Sequence, residues 1–145
     1  MVEQDEIGKE HKFSGEKLSV TMALYKAKDF DDAMAKVRAI YDVGGKGHSC
    51  GIYTFNEDHI LRHAMNAPVS RVMVRQPQSK ANAGSFTNGM PMTSSLGCGI
   101  WGGNITNENV SLKHYMNVTW VARPIPEDRP SDEELFGEFY MTEVM

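Results

Sequence analysis

The sequence predicts an α/β fold with a sheet that is at least partly parallel. Apolar segments of strand length alternate with segments of helical periodicity, in the order strand, helix, strand, helix, strand. The length of 145 residues gives room for one domain with a core. Beyond this alternation, residues 76–109 are rich in Gly, Asn, Ser and Thr and show little periodicity. An irregular stretch of this length inside a compact domain is usually functional.

The first strand and helix are predicted after a polar N-terminal segment, residues 1–14, which is expected to be loose. Residues 18–25 (LSVTMALY) form an apolar run between polar residues and predict a buried strand. Residues 30–41 carry apolar side chains at three-and-four spacing and predict a helix with Asp29 as its N-cap. The pair Gly44–Gly45 is expected to end that helix.

The second strand, helix and third strand follow directly. Residues 49–55 (SCGIYTF) predict a strand that contains Cys50 as a core residue. Asn56 is a suitable N-cap for the next helix, and Pro68 is expected to end it. Residues 71–75 (RVMVR) predict the third strand.

The C-terminal part contains one more predicted strand and one short helix. Residues 117–123 (NVTWVAR) have the composition of a strand. Ser131 begins the helix, and Glu134 completes a capping box three residues later. The apolar side of this helix is formed by Leu135, Phe136, Phe139 and Tyr140.

Charge and composition exclude several functional classes. The formal net charge is −4 and no basic patch is visible, which argues against a nucleic-acid partner. No apolar run reaches membrane-spanning length, and the charged opening residues do not resemble a signal peptide. The two cysteines, Cys50 and Cys98, are far apart and form no CxxC motif. They predict neither a disulfide framework nor a cysteine-rich zinc site, and they favour a cytoplasmic location.

A glycine-rich segment, residues 97–102 (GCGIWG), matches the GxGxxG pattern. A dinucleotide site needs a strand before this pattern and a helix after it, and neither is predicted here. The segment is therefore interpreted as a loop in which glycines allow positive φ and close backbone approach. Cys98 within it is interpreted as a packed thiol; the alternative is a nucleophile activated by Lys113 or His114.

Three histidines were considered as candidate ligands or catalysts. His59 and His63 are four residues apart on the second helix and could form half of a zinc site. No third ligand is suggested, and both side chains are assigned to the polar face of the helix. His48 follows a glycine-rich turn, where loops often carry function, but a structural turn histidine is the favoured interpretation.

Two segments near the C-terminus carry a specific family resemblance. Residues 95–110 (SLGCGIWGGNITNENV) and 113–118 (KHYMNV) resemble the C-terminal region of CoA-acylating aldehyde dehydrogenases. Other matching segments occur in the same order upstream, namely 16–19 (EKLS), 23–30 (ALYKAKDF), 44–49 (GGKGHS) and 71–76 (RVMVRQ). The resemblance covers roughly residues 8–124.

The resemblance implies the C-terminal part of an aldehyde-dehydrogenase-type catalytic domain. Enzymes of this family oxidise an aldehyde with NAD or NADP and pass the acyl group to CoA through a cysteine thioester. Glu16 matches the glutamate that binds the nicotinamide ribose, and a carboxylate is a suitable acceptor for ribose hydroxyls. By the same resemblance, His48 and Cys98 are expected near the substrate or CoA. Residues 117–123 match the strand that pairs in the oligomerisation sheet of the family.

The departures from the family pattern limit what this chain can do. The nucleophilic cysteine and most of the dinucleotide-binding domain lie upstream of Glu16 in the family. Neither Cys50 nor Cys98 stands in the motif of the nucleophile, so no catalytic residue is assigned. Val20 replaces a proline and Gly15 an arginine of many relatives, which is expected to alter the turn that leads into Glu16.

Three functional hypotheses follow from the resemblance. In the first, residues 15–110 are a partial catalytic domain, 111–124 hold the oligomerisation strand and 125–145 are a tail, and the chain alone is inactive. In the second, the chain is a non-catalytic interaction module that forms homo-oligomers or joins a longer dehydrogenase subunit. In the third, it is a small domain that binds CoA or nucleotide. The aldehyde is not determined, although Arg75 and Lys80 favour an anionic one such as sulfoacetaldehyde or succinate semialdehyde.

Overall fold

The structure is a computed structural model that describes residues 1–139. It separates into two units, Met1–Tyr115 and a second unit that begins at Met116. Its strands and helices are β1 (Val2–Glu3), β2 (Ala23–Leu24), α1 (Phe30–Gly44), β3 (Cys50–Ile52), α2 (Glu57–Asn66), β4 (Val72–Val74), α3 (Gln78–Ala81) and α4 (Asp132–Phe136). Among these residues, no helix combines the length and apolar character that a membrane crossing requires.

The centre of the first unit is a β–α–β motif. Strands β3 and β4 pair in parallel, with Cys50 opposite Val72 and Ile52 opposite Val74. Helix α2 connects them, as a parallel pair requires. The predicted order of strand, helix and strand is confirmed here, although both strands are shorter than the apolar runs that predicted them.

Side-chain caps define where the two long helices begin. The Asp29 carboxylate accepts a hydrogen bond from the Asp32 amide at 2.8 Å, and the Asn56 side chain accepts one from the His59 amide at 3.2 Å. Helix α1 ends at Gly44, and Gly45 follows with φ of 97° while its amide bonds to the Tyr41 carbonyl. The predicted caps and ends of both helices are confirmed.

The predicted buried strand over residues 18–25 is wrong for most of its length. Only β2 forms, in parallel pairing with β1, so the N-terminal segment is less loose than expected. The side chains of Leu18 and Val20 are almost fully exposed. The physical reason is that β1 offers a partner for just two residues, and the remaining apolar positions have no neighbouring strand within residues 1–139.

The predicted polar location of His63 is wrong. His63 lies three residues after Ile60 and four before Ala67, so it shares the inward face of α2 with them. Its side chain is buried between two sulfur atoms, with Nε2 3.0 Å from Cys50 Sγ and Nδ1 3.1 Å from Met34 Sδ. Cys50 belongs to the small core with Ala67 and Val69, as its position in the strand predicts.

The other half of the suggested zinc pair has a different environment. His59 is half-buried and stacks on the Phe30 ring at a centroid distance of 4.1 Å. Within residues 1–139, no group of three or more His, Cys, Asp or Glu side chains could hold a metal ion.

The second unit contains little regular structure in its described part, residues 116–139. Residues 117–123 form no strand in the structure, and the Trp120 and Val121 side chains are largely exposed. A strand is defined by its hydrogen-bonded neighbour, and this segment pairs with none in the described chain. The capping box of α4 is confirmed, with the Glu134 amide 3.2 Å from Ser131 Oγ. Tyr140, assigned to the apolar side of α4, lies outside the described residues.

The buried position of His63 predicts a loss of stability in acid. Burial lowers the pKa of this imidazole because the charged form is poorly solvated. The unfolded chain then binds more protons below the ordinary histidine pKa of about 6.5, so stability is full above that pH and decreases as the pH falls below it. We expect the melting temperature to fall between about pH 7 and about pH 5.

The control for this prediction is His59, a half-buried histidine one turn earlier on the same helix. His63→Gln is expected to lower the overall stability and to reduce the acid dependence, whereas His59→Gln should keep that dependence. An unchanged pH profile in the His63 variant, measured by thermal unfolding, would contradict the assignment.

Candidate functional site: the Arg71 network

Arg71 is a buried arginine that immediately precedes β4 and reaches into the irregular part of the chain. Its side chain is 5% exposed. Nε donates to Asn109 Oδ1 at 2.6 Å, and Nη1 donates to the His48 carbonyl at 3.1 Å. Nη2 donates to the carbonyl oxygens of Gly97 at 2.7 Å and Asn107 at 3.4 Å. The guanidinium therefore links the His48 turn to the loop 97–109.

The charge of Arg71 has no carboxylate partner among the described residues. Burial lowers the pKa of the guanidinium, although arginine keeps its proton in proteins. Neutral oxygen dipoles are thus the immediate stabilising groups. A buried charge in this setting is strongly destabilised when its acceptors move, because each remaining acceptor then carries more of the solvation.

The network continues from Asn109 to the His48 turn by a second route. Asn109 Nδ2 donates to the carbonyl oxygens of Asn82 at 3.0 Å and Pro91 at 2.9 Å. Asn82 Nδ2 donates to Ser49 Oγ at 3.2 Å, and Ser49 Oγ lies 2.7 Å from His48 Nδ1. The hydrogen bonds therefore form a closed ring that begins and ends at Arg71. A fully satisfied buried network of this kind rigidifies its members.

The short helix α3, which the sequence analysis did not predict, supports the ring. Gln78 at its start donates through Nε2 to Ser49 Oγ and to the Ser49 carbonyl, both at 3.0 Å. Pro77 stands at the N-cap of this helix, where it offers no side-chain cap hydrogen bond. Within residues 76–109, the structure forms α3 and one 3₁₀ helix, Gly99–Gly102.

The glycine-rich segment is a closely packed loop and not a dinucleotide motif. Gly99–Gly102 forms a 3₁₀ turn with Cys98 before it, and no strand directly precedes it. A Cβ atom on Gly47 would lie 2.8 Å from Cys98 Cβ, and one on Gly102 would lie 2.5 Å from it. Close backbone approach around Cys98 therefore explains these glycines. This agrees with the interpretation made from the sequence.

Lys113 and His114, the candidate activators of Cys98, have another partner. Lys113 forms an ion pair with the Glu108 carboxylate, and His114 Nε2 lies 3.4 Å from Oε2 of the same carboxylate. The hydrogen bond from Lys113 is the main reason that the pKa of Glu108 lies below its usual range. His114 Nδ1 also accepts a hydrogen bond from the Ser111 amide at 2.9 Å. These contacts fix the end of the loop.

Glu16 lies apart from this hydrogen-bond network. Its side chain is exposed and forms no hydrogen bond or ion pair within residues 1–139. The turn that carries it is held by Lys17 Nζ, which donates to the carbonyl oxygens of Phe13 and Gly15 at 2.6 Å each. A Cβ atom on Gly15 would meet open space, so the structure gives no steric reason for glycine there.

The sequence analysis missed Arg71, Asn82 and Asn109 as members of a site. The available signal was a cation at the start of an apolar strand, followed by asparagines in a loop without periodicity. His48, whose carbonyl accepts from Arg71, and Cys98, in the loop beside Gly47, were both named from the sequence, and the structure brings their two loops together. No hydrogen bond joins Glu16 to either of them.

Comparison with known proteins finds enzymes that are similar to this chain in sequence. The chain is 48% identical over 132 residues to a sulfoacetaldehyde dehydrogenase of an Acholeplasma species, which covers 91% of the chain and 27% of that protein. It is 40% identical over 140 residues to the acylating sulfoacetaldehyde dehydrogenase of Cupriavidus necator, covering 97% of the chain and 28% of that protein. No protein-family model matches the chain.

A solved structure gives the same result for the fold. The acetylating aldehyde dehydrogenase of Geobacillus thermoglucosidasius matches with a TM-score of 0.75 and 34% identity, covering 86% of this chain and 28% of that one. The chain thus spans between a quarter and a third of the length of these two relatives and of that structure.

The packing around Cys98 predicts different results for two similar glycine substitutions. Gly45 and Gly47 have φ of 97° and 105°, but only Gly47 is surrounded by atoms that a Cβ would meet. Gly45→Ala is expected to lower the free energy of unfolding by about 1–2 kcal/mol through backbone strain alone. Gly47→Ala should lower it by about 3 kcal/mol or more because the Cys98 loop must also move.

Urea denaturation and the rate of Cys98 modification by a thiol reagent measure the two effects. We expect faster modification in Gly47→Ala and an unchanged rate in Gly45→Ala. Equal losses of stability with equal thiol reactivity would show that the close approach at Gly47 has no energetic importance.

Proposed function

We propose that this chain, which belongs to the family of CoA-acylating aldehyde dehydrogenases, is the C-terminal part of the catalytic domain of such an enzyme. The reaction would oxidise an aldehyde by transfer of a hydride to NAD or NADP, with transfer of the acyl group to CoA. Residues 15–110 would supply part of the catalytic domain. Residues 111–124 would contain the oligomerisation strand, and 125–145 the tail.

The observation that carries this proposal is the buried Arg71 network. It joins the His48 turn to the glycine-rich loop, and both of these segments are among those that carry the resemblance to the family. The region buries one cation and two asparagines between two loops. Buried polar groups need hydrogen-bond partners, and here the partners lie largely in those loops, so the loop positions are fixed. Buried polar groups that fix two loops support a role for this region as part of an active-site wall.

Glu16 fits the expected role in nucleotide binding. Its carboxylate is exposed and has no partner within the described residues, so its oxygens remain available to accept hydrogen bonds from ribose hydroxyls. The bound nicotinamide would supply the hydride acceptor. His48 and Cys98 would lie near the substrate or CoA, with no catalytic role assigned to the Cys98 thiol.

The proposed substrate is an anionic aldehyde of the sulfoacetaldehyde type. The two relatives described above are named sulfoacetaldehyde dehydrogenases. Arg75 and Lys80 are exposed near the start of the irregular stretch and would add positive potential for an anionic group. The proposed location is the cytoplasm, which the two unpaired cysteines favour.

Residues 117–123 would pair with a second dehydrogenase subunit. Val118, Trp120 and Val121 expose apolar surface on a segment without a paired neighbour in the described chain. Such a segment can add to the edge of a sheet in another polypeptide. The interaction-module hypothesis rests on the same surface and differs only in lacking the catalytic contribution.

A chimaeric enzyme provides the direct test of the catalytic proposal. In it, this chain replaces the matching segment of the Acholeplasma relative. We expect the chimaera to produce NAD(P)H from sulfoacetaldehyde in the presence of CoA, and the isolated chain to produce none, because neither of its cysteines stands in the nucleophile motif. A folded chimaera without activity would refute the proposal, and turnover by the isolated chain would refute its predicted inactivity.

The role of Glu16 can be separated in the same chimaera. Glu16→Gln is expected to raise the KM for NAD(P) about tenfold, since the amide is a weaker acceptor than the carboxylate, and to leave the KM for CoA unchanged. Glu57→Gln, an exposed change in the first turn of α2, serves as the control. Equal KM values for NAD(P) in both variants would remove Glu16 from the nucleotide site.

The oligomerisation proposal predicts a concentration-dependent mass. Native mass spectrometry or sedimentation of the isolated chain should show a dimer or larger species, and Trp120→Asp should shift it to the monomer. Leu135→Asp, which changes an exposed residue of α4, is the control. A monomer at all concentrations, together with no association with the chimaeric subunit, would exclude pairing through residues 117–123.

A further inference from the structure

We propose that Arg71 is a positioning residue that holds the His48 turn and the Cys98 loop in one arrangement. This inference deepens the proposed function and rests on it. The guanidinium makes four hydrogen bonds to protein groups, so its role is to place other parts of the site. A positioning residue does not contact the substrate, so any effect of Arg71 on the reaction passes through two loops that are distant in sequence.

All four acceptors of Arg71 belong to loops. They are the carbonyl oxygens of His48, Gly97 and Asn107 and the side-chain oxygen of Asn109. None of them lies in α1, α2, β3 or β4. The Arg71 backbone, by contrast, takes part in the sheet, since its carbonyl accepts the Cys50 amide at 3.0 Å. The side chain and the backbone of this residue thus serve separate parts of the structure.

The shape of the guanidinium is essential to this arrangement. Its N–H groups form a rigid planar fork, and here the fork faces the His48 turn on one side and the loop on the other. A lysine ammonium at the same position would keep the charge but is a compact donor on a flexible stem. Arg71→Lys therefore removes the fork while retaining the positive charge.

The loop has its own hydrogen bonds that report on its order. The Gly97 amide donates to the Glu108 carbonyl at 2.9 Å, and the Gly99 amide donates to the Thr106 carbonyl at 3.0 Å. The Val110 amide donates to the Ser95 carbonyl at 2.9 Å. The sheet has equivalent reporters, the amides of Cys50 and Arg75. The two sets distinguish loosening of the loop from unfolding of the β–α–β motif.

The first experiment measures amide hydrogen exchange by NMR in the 145-residue chain and its Arg71→Lys variant. The loop amides are expected to exchange about tenfold faster in the variant, which corresponds to the loss of about one charged hydrogen bond. The sheet amides should exchange at the same rate in both proteins. The ring proton signals of His48 should also shift, because its carbonyl loses the Nη1 donor.

Arg38→Lys is the matched control, because it makes the same chemical change at an exposed arginine of α1 that bonds to the Asn66 side chain. It should leave both sets of amides and the His48 signals unchanged. Unaltered loop exchange in Arg71→Lys would overturn the proposal. Equal acceleration of the sheet amides would also overturn it, because Arg71 would then support the whole unit instead of the loops.

The second experiment places both substitutions in the chimaeric enzyme. Arg71→Lys is expected to lower kcat about tenfold with an unchanged KM for NAD(P), since Glu16 makes no hydrogen bond to the network. Arg38→Lys should have wild-type kinetics. A wild-type kcat in Arg71→Lys would overturn the positioning role. An inactive wild-type chimaera would refute the proposed function, while the exchange experiment would still decide whether Arg71 orders the two loops.

Discussion

The buried charge of Arg71 is the constraint on which the irregular half of the first unit depends. The sheet and its helices have their own backbone hydrogen bonds, but the long loop contains little regular structure. Its position relative to the sheet is determined largely by a guanidinium that needs oxygen acceptors in a dry environment. The carbonyl groups of the loop accept hydrogen bonds from the guanidinium, so the guanidinium gains acceptors and the carbonyl groups gain a donor. Cation and loop therefore stabilise each other, and neither has an equivalent partner elsewhere in the described residues.

Glycine and arginine make complementary contributions to this site. Gly47 and Gly102 let two stretches of backbone approach Cys98 closely, and Arg71 then connects the same stretches by hydrogen bonds. Without the Arg71 guanidinium, close approach of the two stretches would leave buried carbonyl groups unpaired. If the two stretches lay farther apart, the guanidinium could not reach both of them. The apolar core beside it is small, and several large apolar side chains elsewhere are exposed. A small core with exposed apolar side chains is consistent with a segment that spans about a quarter of the length of the Acholeplasma relative.

Local signals in the sequence predicted the local structure well. Asp29, Asn56 and Ser131 were identified as caps because a cap depends on residues within one turn. The family was also recognised from short motifs and is confirmed by the comparisons. Burial was predicted less well: residues 18–25 appear apolar but have too little structure to pack against, and His63 appears polar but occupies the inner face of α2. The Arg71 network could not be predicted, since its contacts join side chains to backbone carbonyls far away in the sequence.

The spacing of the Arg71 contacts has a consequence for the order in which the chain folds. Asn109, Asn107, Gly97 and His48 lie 38, 36, 26 and 23 residues from Arg71. Closing segments of this length loses chain entropy before any contact compensates for it, whereas α1 and α2 form from neighbouring residues. We therefore expect the helices to appear early and the loop to consolidate last, so the candidate site would be the slowest part of the unit to mature.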